Sequence, residues 1–195
     1  MSVQFGASTT HLACEEQLVI DENVVLLDPW GHPIGSEPKD TVHDAETPLH
    51  LAFSLYLFDA DDRLLLTRRS LDKRTWPGVW TNTCCGHPAP GEDPAEAVRR
   101  RVGQELGLEV AELRCVLPDF AYTAVDASGV MENEVCPVFT ARTVHPHADP
   151  VPNPAEVVDW KWGAWSDIVR STAATPFVFS PWAVLQVQQL APVLG

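Results

Sequence analysis

The sequence predicts one folded domain of the α/β or α+β class. Its 195 residues suit a single domain, because chains usually divide into several domains only when they are much longer. Hydrophobic residues make up 45% of the chain, which is enough for a buried core. Segments with the alternation of strands outnumber segments with helical periodicity, and this pattern indicates a fold built on sheets with few helices.

The N-terminal third predicts short strands and loops. Residues 1–18 lack periodicity and are interpreted as a flexible extension, so the folded domain is placed at residues 19–195. The run QLVIDENVVLLD predicts a pair of strands around a turn at Asp21–Asn23. Residues 29–48 contain four prolines and few large apolar side chains, which favours loop with one short helix.

The segment from Leu49 to Phe58 alternates as a strand with two different faces does. One face carries Leu49, Leu51, Phe53, Leu55 and Leu57, and the other carries His50, Ala52, Ser54 and Tyr56. A DADD turn and the run RLLLTRR follow, so the segment is predicted to be the first strand of a β-hairpin.

The clearest helix is predicted in GEDPAEAVRRRVGQELGLEV. Asp93 is a suitable N-cap, Pro94 fits the first helical position, and Glu96 completes the pattern of a capping box. Gly107 is expected to end the helix. The helix would bury an apolar stripe made of Val98, Val102 and Leu106.

The C-terminal half predicts further strands and two helices. Strands are expected around Leu113–Leu117, Glu132–Arg142 and Val157–Trp162. Helices are expected at Ser166–Ser171 and at Pro181–Leu190. The Pro-rich run HPHADPVPNPAE, which lies between the last two of these strands, is interpreted as a surface loop.

The charge of the chain argues against one class of partners. The 13 Lys and Arg residues are outnumbered by 27 Asp and Glu residues, so the formal net charge is −14. Broad nucleic-acid binding requires a basic surface, and no nucleic-acid partner is therefore expected. Eight of the 13 basic residues nevertheless lie within residues 63–101, which predicts a local contact with an anion. These eight residues are Arg63, Arg68, Arg69, Lys73, Arg74, Arg99, Arg100 and Arg101.

The cysteines and the first residues indicate the cellular compartment. Five cysteines are an odd number, and they lack the regular spacing of a disulfide framework. The start MSVQFGASTTHLACEEQ lacks the basic and apolar regions of a signal peptide. No apolar run approaches the ~20 residues that a transmembrane helix needs. A cytoplasmic protein with reduced thiols and no membrane insertion is expected.

Residues 86–108, GHPAPGEDPAEAVRRRVGQELGL, resemble the Nudix box, a loop–helix–loop that holds metal beside a diphosphate. The matching positions are Gly86, Glu92, Arg100, Glu105, Gly107 and Leu108. Arg101 and Gln104 stand where Nudix hydrolases carry glutamates, so Glu105 is left alone. Hydrolysis needs a cluster of carboxylates to hold cations and to activate water. The box therefore predicts the fold and a diphosphate ligand, and it argues against cleavage.

A second set of candidate metal ligands lies outside this box and combines three histidines with two glutamates. They are His43, His50, His87, Glu132 and Glu134. Positions 132 and 134 of a strand face the same side, so both carboxylates can converge on one ion. Such ligands suit Mn, Fe, Zn or strongly held Mg as a divalent cation. A single histidine is more often a surface or hydrogen-bonded group, so spacing alone leaves both interpretations open.

Cys85, in the run TWPGVWTNTCCGHP, is the candidate reactive thiol. The alternative is a small buried apolar residue, which is the commoner role of a cysteine. Gly86, His87 and the nearby basic residues predict an electropositive setting that favours a reactive thiol. Cys84 beside Cys85 also suggests metal binding, but no CxxC pair supports a structural zinc site.

Four longer runs carry a more specific family resemblance. They are HDAETPLHLAF, LLLTRRSLDKRTWPGVWTNTCCGHP, YTAVDASGVMENEVCPVF and TPFVFSPW. In this order they resemble type 1 isopentenyl-diphosphate Δ-isomerase over roughly residues 20–190, a family that shows the same degenerate Nudix box. The resemblance implies a Nudix-type mixed β-sheet sandwich flanked by helices. It also implies an isomerase of isoprene biosynthesis that interconverts isopentenyl diphosphate and dimethylallyl diphosphate.

The resemblance also implies roles for individual residues by position. The catalytic residues would be Cys85 and Glu134, with Tyr122 hydrogen-bonded near the glutamate. His43, His50, His87, Glu132 and Glu134 would hold Mn²⁺, Mg²⁺ or Zn²⁺, and Glu105 would be associated with a diphosphate-bound Mg²⁺. Lys39, Arg69, Lys73 and Arg101 would contact the diphosphate, and Trp182 would face the isoprenoid tail. Without the resemblance, Trp182 would be read as core packing, and Lys39 and Arg101 as solvated surface.

The implied reaction is a 1,3-proton shift through a tertiary carbocation, so an acid and a base must flank the substrate. Which of Cys85 and Glu134 donates its proton first stays open, because the reaction is reversible. Two alternatives are a Nudix pyrophosphohydrolase, which the departures in the box disfavour, and a non-catalytic diphosphate-binding module. The presence of Cys85, Glu134 and all three histidines disfavours the second alternative. A monomer whose partner is a small isoprenoid diphosphate is expected.

Overall fold

Strands dominate the fold of residues 22–195, which are the residues that the computed structural model describes. The strands are β1 (Asn23–Leu27), β2 (Pro33–Pro38), β3 (His50–Leu51), β4 (Phe53–Phe58), β5 (Arg63–Arg69), β6 (Trp80–Thr81), β7 (Cys84–Gly86), β8 (Val110–Leu117), β9 (Ala121–Val125), β10 (Met131–Val135), β11 (Val138–Thr143) and β12 (Val157–Ala164). The helices are α1 (Lys39–Val42), α2 (Pro94–Leu106), α3 (Trp165–Ala174) and α4 (Pro181–Leu194), with a 3₁₀ turn at Pro176–Val178. Within the described part of the chain, no helix combines the length and hydrophobicity needed to cross a bilayer.

Two mixed sheets are connected by strands that pass from one sheet to the other. The first sheet has the order β2-β1-β3-β10-β9, and the second follows β12-β5-β4-β11-β8, with β6 beside β5 and β7 beside β4. The pairs β3–β10 and β4–β11 are parallel, whereas the other pairs are antiparallel. The α+β prediction with mixed sheets is therefore confirmed.

Two chain segments cross between the sheets side by side. Ala52 alone separates β3 from β4, and Cys136 and Pro137 separate β10 from β11. The parallel ladder continues across this step, because Ala52 N donates to Val135 O at 2.9 Å and Ser54 N donates to Pro137 O at 3.0 Å. We call residues Ala52, Cys136 and Pro137 the sheet crossover. It positions the functional site described below.

The predicted alternation of Leu49–Phe58 produces two buried faces. Phe53, Leu55 and Leu57 pack in one core with the apolar stripe of α2. Ala52 and Tyr56 face the opposite way and pack in a second core with α4. Each large apolar side chain buried in this way contributes about 1.5–3 kcal/mol. Leu49 and Leu51 are only half-buried, since the chain changes sheets immediately after them.

Helix α2 begins and ends close to the predicted residues. Asp93 caps it by accepting a hydrogen bond from Ala95 N at 2.7 Å, and Pro94 occupies the first helical position. Gly107 ends the helix with φ at 64°, a conformation that glycine adopts without strain. Glu96 lies near Arg99 instead, and the second hydrogen bond of a capping box is absent among the described residues.

Several predicted elements differ from the structure. The proline-containing segment expected to be mostly loop contains β2 as well as the short helix α1. The single strand expected at Glu132–Arg142 is two strands, because Pro137 cannot donate to a ladder at the crossover. Strand β9 was not predicted, and the expected hairpin of β4 and β5 has only Phe58 paired with Leu64. Residues 1–18 and the strand predicted before Asp21 lie outside the described residues.

Candidate active site

A cavity of about 560 Å³ lies beside the sheet crossover. Eleven of the thirteen residues singled out from the sequence line it. They are Lys39, His43, Arg69, Lys73, Cys85, His87, Arg101, Tyr122, Glu132, Glu134 and Trp182. The other two are His50, which is fully buried behind the cavity wall, and Glu105, which is buried on α2. The cavity therefore brings together residues that are spread over more than 140 positions of the sequence.

The strand register explains this convergence. At the crossover, β3 and β10 place His50 beside Glu134. On the other side of β10, Tyr122 is the direct cross-strand partner of Glu134, so both side chains share one face. In the second sheet, β7 places Cys85 beside Ser54. Cys85 and Glu134 thus reach the same cavity from two different sheets.

Three histidines and one glutamate form a compact cluster. The ligand atoms of His43, His50, His87 and Glu134 all lie within 4.8 Å of one another. Oε1 of Glu134 is 3.2 Å from Nε2 of His87 and 3.5 Å from Nε2 of His50. Glu132 adjoins the cluster, because its Oε2 lies 3.1 Å from Nε2 of His43. The five residues predicted as ligands therefore lie together, and we call them the His/Glu cluster.

The donor atoms of the His/Glu cluster fit a divalent metal ion. Nε2 of His43, Nε2 of His50 and Oε2 of Glu132 are buried without a hydrogen-bond partner among the described residues. Unpartnered buried polar atoms are costly, so their convergence indicates a site for a cation. Imidazole and carboxylate ligands suit several divalent metals.

Other contacts orient the ligands of this cluster. Nδ1 of His50 is 2.9 Å from Pro48 O, and Nδ1 of His43 is 3.3 Å from Lys39 O. Because a carbonyl oxygen can only accept a hydrogen bond, Nδ1 carries the proton, and the lone pair of Nε2 stays available to a ligand. The hydroxyl of Thr75 donates to Oε1 of Glu132 at 2.6 Å. The inward direction of the donor atoms is therefore built into the fold.

The protonation states of His87 and Glu134 favour cation binding. Burial lowers the pKa of His87 to about 4, so its imidazole is neutral at pH 7. Burial alone would raise the pKa of Glu134, but His50 and His87 outweigh it and hold that pKa well below its usual range. A neutral imidazole and an ionised carboxylate are the forms that coordinate metals.

Cys85 is a half-buried thiol that keeps its proton, although its basic neighbours predicted an electropositive setting that favours a reactive thiol. Desolvation raises its pKa to about 11, which outweighs the nearby Arg69. The predicted electropositive setting therefore does not lower the pKa of the thiol, because desolvation has the larger effect. At neutral pH the thiol is protonated and is a potential proton donor. Its Sγ contacts the Ser54 hydroxyl at 3.3 Å and donates to Asn82 Oδ1 at 3.2 Å.

Tyr122 is also held in its protonated form. Burial and the nearby Glu134 raise its pKa well above the usual value of 10. Its ring lies 5.7 Å from that of Trp182, centroid to centroid. Nε1 of Trp182 donates to Asn82 Oδ1 at 3.1 Å, and the guanidinium of Arg69 lies 5.3 Å from the ring centroid. Trp182 is thus fixed between the thiol side of the cavity and a basic residue.

Three basic residues of the cavity are paired with carboxylates. Lys39 donates to Glu22 at 2.6 Å, and Lys73 forms an ion pair with Glu156. Arg101 contacts both acids, at 2.9 Å for Glu22 and 3.2 Å for Glu156. We call these five residues the ion-pair network. Sequence analysis did not single out Glu22 or Glu156, because each is an ordinary acidic residue in a segment predicted as turn or loop.

The basic cluster predicted over residues 63–101 divides in two. Arg69, Lys73, Arg74 and Arg101 line the cavity. The other four residues make local contacts elsewhere, namely Arg63 with Asp59, Arg68 with Gly78 O, Arg99 with Val110 O and Arg100 with Glu92. Proximity in sequence therefore overstated the number of basic side chains available to one anion.

Glu105 is placed differently from the other predicted ligands. Its Oε1 accepts hydrogen bonds from Arg101, at 3.0 Å from Nε and 2.5 Å from Nη2. It does not line the cavity. Gly86 permits this packing, because a Cβ there would lie 3.1 Å from both Arg101 Cγ and the Phe53 ring. The structure therefore presents Glu105 as the partner of Arg101.

The two sheets, the capped helix α2 and this cavity define a Nudix-type protein, and the NUDIX domain family matches residues 48–183. The fold resembles that of DR0079 from Deinococcus radiodurans, a solved structure with a TM-score of 0.65 and 18% sequence identity. The match covers 86% of this chain and 98% of that one.

Curated relatives narrow the class. The isopentenyl-diphosphate Delta-isomerase of Frankia alni is 60% identical over 168 residues, which cover 86% of this chain and 85% of the relative. The protein of the same name from Mycolicibacterium vanbaalenii is 58% identical over 172 residues, which cover 87% and 91%. This chain belongs to the isopentenyl-diphosphate Delta-isomerase family.

Proposed function

We propose that this protein is an isomerase that interconverts isopentenyl diphosphate and dimethylallyl diphosphate. The observation that carries the proposal is the convergence of Cys85 and Glu134 on one cavity. The same cavity holds the His/Glu cluster and basic side chains suited to a diphosphate. Family membership supports the assignment, because the curated relatives carry this activity in their names.

The reaction moves one proton onto the terminal alkene carbon and removes another from the carbon two positions away. Protonation of an unactivated alkene requires a strong, well-placed acid, and the second step requires a base. We assign these two roles to Cys85 and Glu134. Tyr122 is proposed to assist Glu134, because Tyr122 is the cross-strand partner of that glutamate and its phenol stays protonated. The roles of acid and base exchange when the reaction runs in reverse.

The tertiary carbocation between these steps needs stabilisation without a nucleophile. Trp182 offers an aromatic face to the cavity. A cation over such a face gains roughly 0.5–2 kcal/mol, and more when water is excluded. The hydrogen bond from Trp182 to Asn82 and the adjacent Arg69 keep the ring in place. We propose that the isoprenoid tail lies against this ring.

The His/Glu cluster is proposed to hold one divalent metal ion, with Mn²⁺, Mg²⁺ and Zn²⁺ as the candidates. A bound cation would supply positive charge that acidifies and orients a neighbouring carboxyl group. The protein's own contribution is to hold three imidazoles and two carboxylates in one orientation. The Thr75 hydroxyl and the carbonyls of Pro48 and Lys39 maintain that orientation.

The diphosphate is proposed to bind Lys39, Arg69, Lys73 and Arg101. Bidentate guanidinium contacts suit phosphate oxygens, and Lys supplies compact charge. The carboxylates of Glu22 and Glu156 would then share their cations with the ligand. The Mg²⁺ assigned to Glu105 by resemblance stays a prediction, and the contact seen for Glu105 is with Arg101. We propose that Glu105 positions that guanidinium.

Two broader expectations also remain proposals. A monomer is expected in solution, and sedimentation equilibrium would test it. A cytoplasmic location is expected from the reduced thiols, and the four cysteines among residues 22–195 are all free.

The proposed activity and the hydrolase alternative have different products. Isopentenyl diphosphate is incubated with metal-loaded protein, and dimethylallyl diphosphate and free phosphates are both quantified by chromatography. We expect isomerisation without release of pyrophosphate or phosphate. Release of either would favour a Nudix hydrolase, and tight binding without any product would favour a binding module. Arg101 stands where Nudix hydrolases carry a carboxylate, and this difference supports isomerisation without hydrolysis.

A further inference from the structure

Ser54 is a fully buried polar residue that contacts the candidate catalytic thiol. Its hydroxyl lies 3.3 Å from Sγ of Cys85 and 3.4 Å from Sγ of Cys136. Ser54 and Cys85 are direct partners in the register of β4 and β7. A serine among apolar core residues is costly unless its hydrogen bonds are satisfied, so these contacts require an explanation.

Neighbouring side chains determine the direction of the Ser54 hydrogen bonds. Nε2 of Gln186 donates to Oγ of Ser54 at 2.9 Å. The amide of Gln186 is oriented by Tyr56, whose hydroxyl donates to its Oε1 at 3.0 Å. Because Ser54 already accepts from Gln186, its own proton is directed at a sulfur atom. All three side chains are fully buried, so water does not compete for these bonds.

Asn82 contacts Cys85 with the opposite polarity. Its Nδ2 donates to Leu55 O at 3.1 Å and to Cys84 O at 3.0 Å, which fixes the orientation of the amide. Oδ1 therefore faces Cys85 and accepts the proton of the thiol at 3.2 Å. The sulfur of Cys85 thus has an acceptor for its proton on one side and a donor for its lone pairs on the other.

We propose that Ser54 is a further catalytic residue, which stabilises the Cys85 thiolate that exists during turnover. This inference rests on the proposed function. In one direction, the S–H bond of Cys85 breaks as a C–H bond forms from the alkene π electrons, and the electron pair stays on sulfur. In the opposite direction, the same thiolate removes that proton and the C–H electrons restore the alkene. The hydroxyl of Ser54 donates to the thiolate in both directions.

Replacing Ser54 with alanine removes this donor and little volume. A hydrogen bond to a charged group contributes enough that its loss lowers kcat about 10- to 100-fold. We expect KM to change less than threefold, because Ser54 does not contact the substrate cavity. We also expect a larger solvent deuterium isotope effect on kcat, since proton transfer becomes slower. If Ser54 had only a structural role, the isotope effect would stay unchanged, and kcat would not fall while KM stayed the same.

Cys136→Ala is the matched control variant. Cys136 is the second sulfur that the Ser54 hydroxyl can reach, so its removal leaves Cys85 as the remaining sulfur acceptor. We expect kcat of Cys136→Ala to be at least half that of the wild type. Thermal unfolding of each variant reports whether it is folded. If Ser54→Ala does not fold, Cys136→Ala still tests the proposal, because the Ser54 hydroxyl then has Cys85 as its remaining sulfur acceptor. A tenfold fall in the kcat of Cys136→Ala at unchanged KM would overturn the proposal.

The outcomes separate this inference from the proposed function. If the wild-type protein has no isomerase activity, the proposed function itself is wrong. If the wild type is active and the kcat of Ser54→Ala stays within threefold of it, only the role proposed for Ser54 is wrong. A fall in kcat with unchanged KM and an increased isotope effect would establish it.

Discussion

At the scale of single residues, two adjacent cysteines show how environment determines role. Cys85 lines the cavity and contacts polar side chains, whereas Cys84 packs in the core with Phe53 and Leu55. They point in opposite directions because successive residues of a strand alternate. Burial raises the pKa of both thiols, so access to the cavity, and not acidity, distinguishes Cys85.

Replacing Cys85 with alanine should lower kcat by about 10²- to 10⁴-fold, the range expected when a general acid or base is lost. Steady-state kinetics with isopentenyl diphosphate measures this effect. The neighbouring Cys84→Ala variant should keep kcat and lose about 1 kcal/mol of unfolding free energy, because it removes one small core side chain. Equal losses of activity in the two variants would contradict the assignment of the thiol.

The His/Glu cluster predicts specific losses of metal affinity. Glu132→Gln and His43→Ala should each weaken Mn²⁺ binding by 10-fold or more, because each removes one inward-facing donor atom. Isothermal titration calorimetry on metal-free protein measures the affinity without reference to activity. His145→Ala, at an exposed position, is the control and should bind Mn²⁺ like the wild type. Unchanged affinity in the cluster variants would show that the metal binds elsewhere.

Residue type determined which site residues could be predicted. Histidines, paired glutamates, a cysteine and clustered basic residues are recognisable from the sequence because their chemistry is unusual. Ser54 and Asn82 are not recognisable in this way, since serine and asparagine occur throughout ordinary loops and strands. Their contacts in the site are with residues distant in the chain, such as Gln186 and Trp182.

At the scale of elements, local signals predicted helix α2 better than the strands. Its cap at Asp93, its first-turn proline and its terminal glycine all act within a few residues. Strand β2 was missed because PIGSEP has two prolines and a glycine and is fully exposed. It pairs with β1 at the edge of a sheet, where prolines are tolerated.

Two glycines of this region should respond in opposite ways to alanine. Gly107→Ala should lower the unfolding free energy by about 1 kcal/mol, because φ is 64° at that position. Gly103→Ala lies inside α2 with open space around the added methyl group, and should raise stability by about 0.5–1 kcal/mol. Urea unfolding measures both values. A loss of stability in Gly103→Ala would contradict the packing described for this helix.

At the scale of the whole molecule, the sheet crossover creates the site. His50, Cys85 and Glu134 lie on three strands in two sheets, and the parallel pairs β3–β10 and β4–β11 bring them together. Spacing in the sequence could not predict this, because long-range pairing determines it. The net charge of −14 was similarly uninformative about the ligand, since acidic residues of the ion-pair network are matched to basic ones.

The ion-pair network also couples stability to pH. Burial raises the pKa of Glu156, but Lys73 and Arg101 outweigh it and lower the pKa to about 2. A lowered carboxyl pKa stabilises the fold above the unfolded value near 4.5 and loses that contribution as pH falls toward 2. Glu156→Gln should therefore destabilise the protein by about 2–3 kcal/mol at pH 7 and progressively less between pH 4.5 and 2.

Urea unfolding of wild type and Glu156→Gln at several pH values measures this difference. Glu109→Gln changes an exposed glutamate and is the control for the change of charge alone. Its effect should be within about 0.5 kcal/mol at every pH. A Glu156→Gln difference that does not shrink in acid would contradict the role of the carboxylate charge.

In the proposed reaction, the cavity moves protons and leaves the diphosphate intact. Proton and phosphorus NMR of isopentenyl diphosphate with metal-loaded protein in D₂O follow the protons and the phosphates in one sample. We expect loss of the vinyl signals, appearance of dimethylallyl diphosphate with deuterium incorporated, and no pyrophosphate. A folded, metal-loaded sample that neither forms this product nor exchanges protons would rule out this reaction.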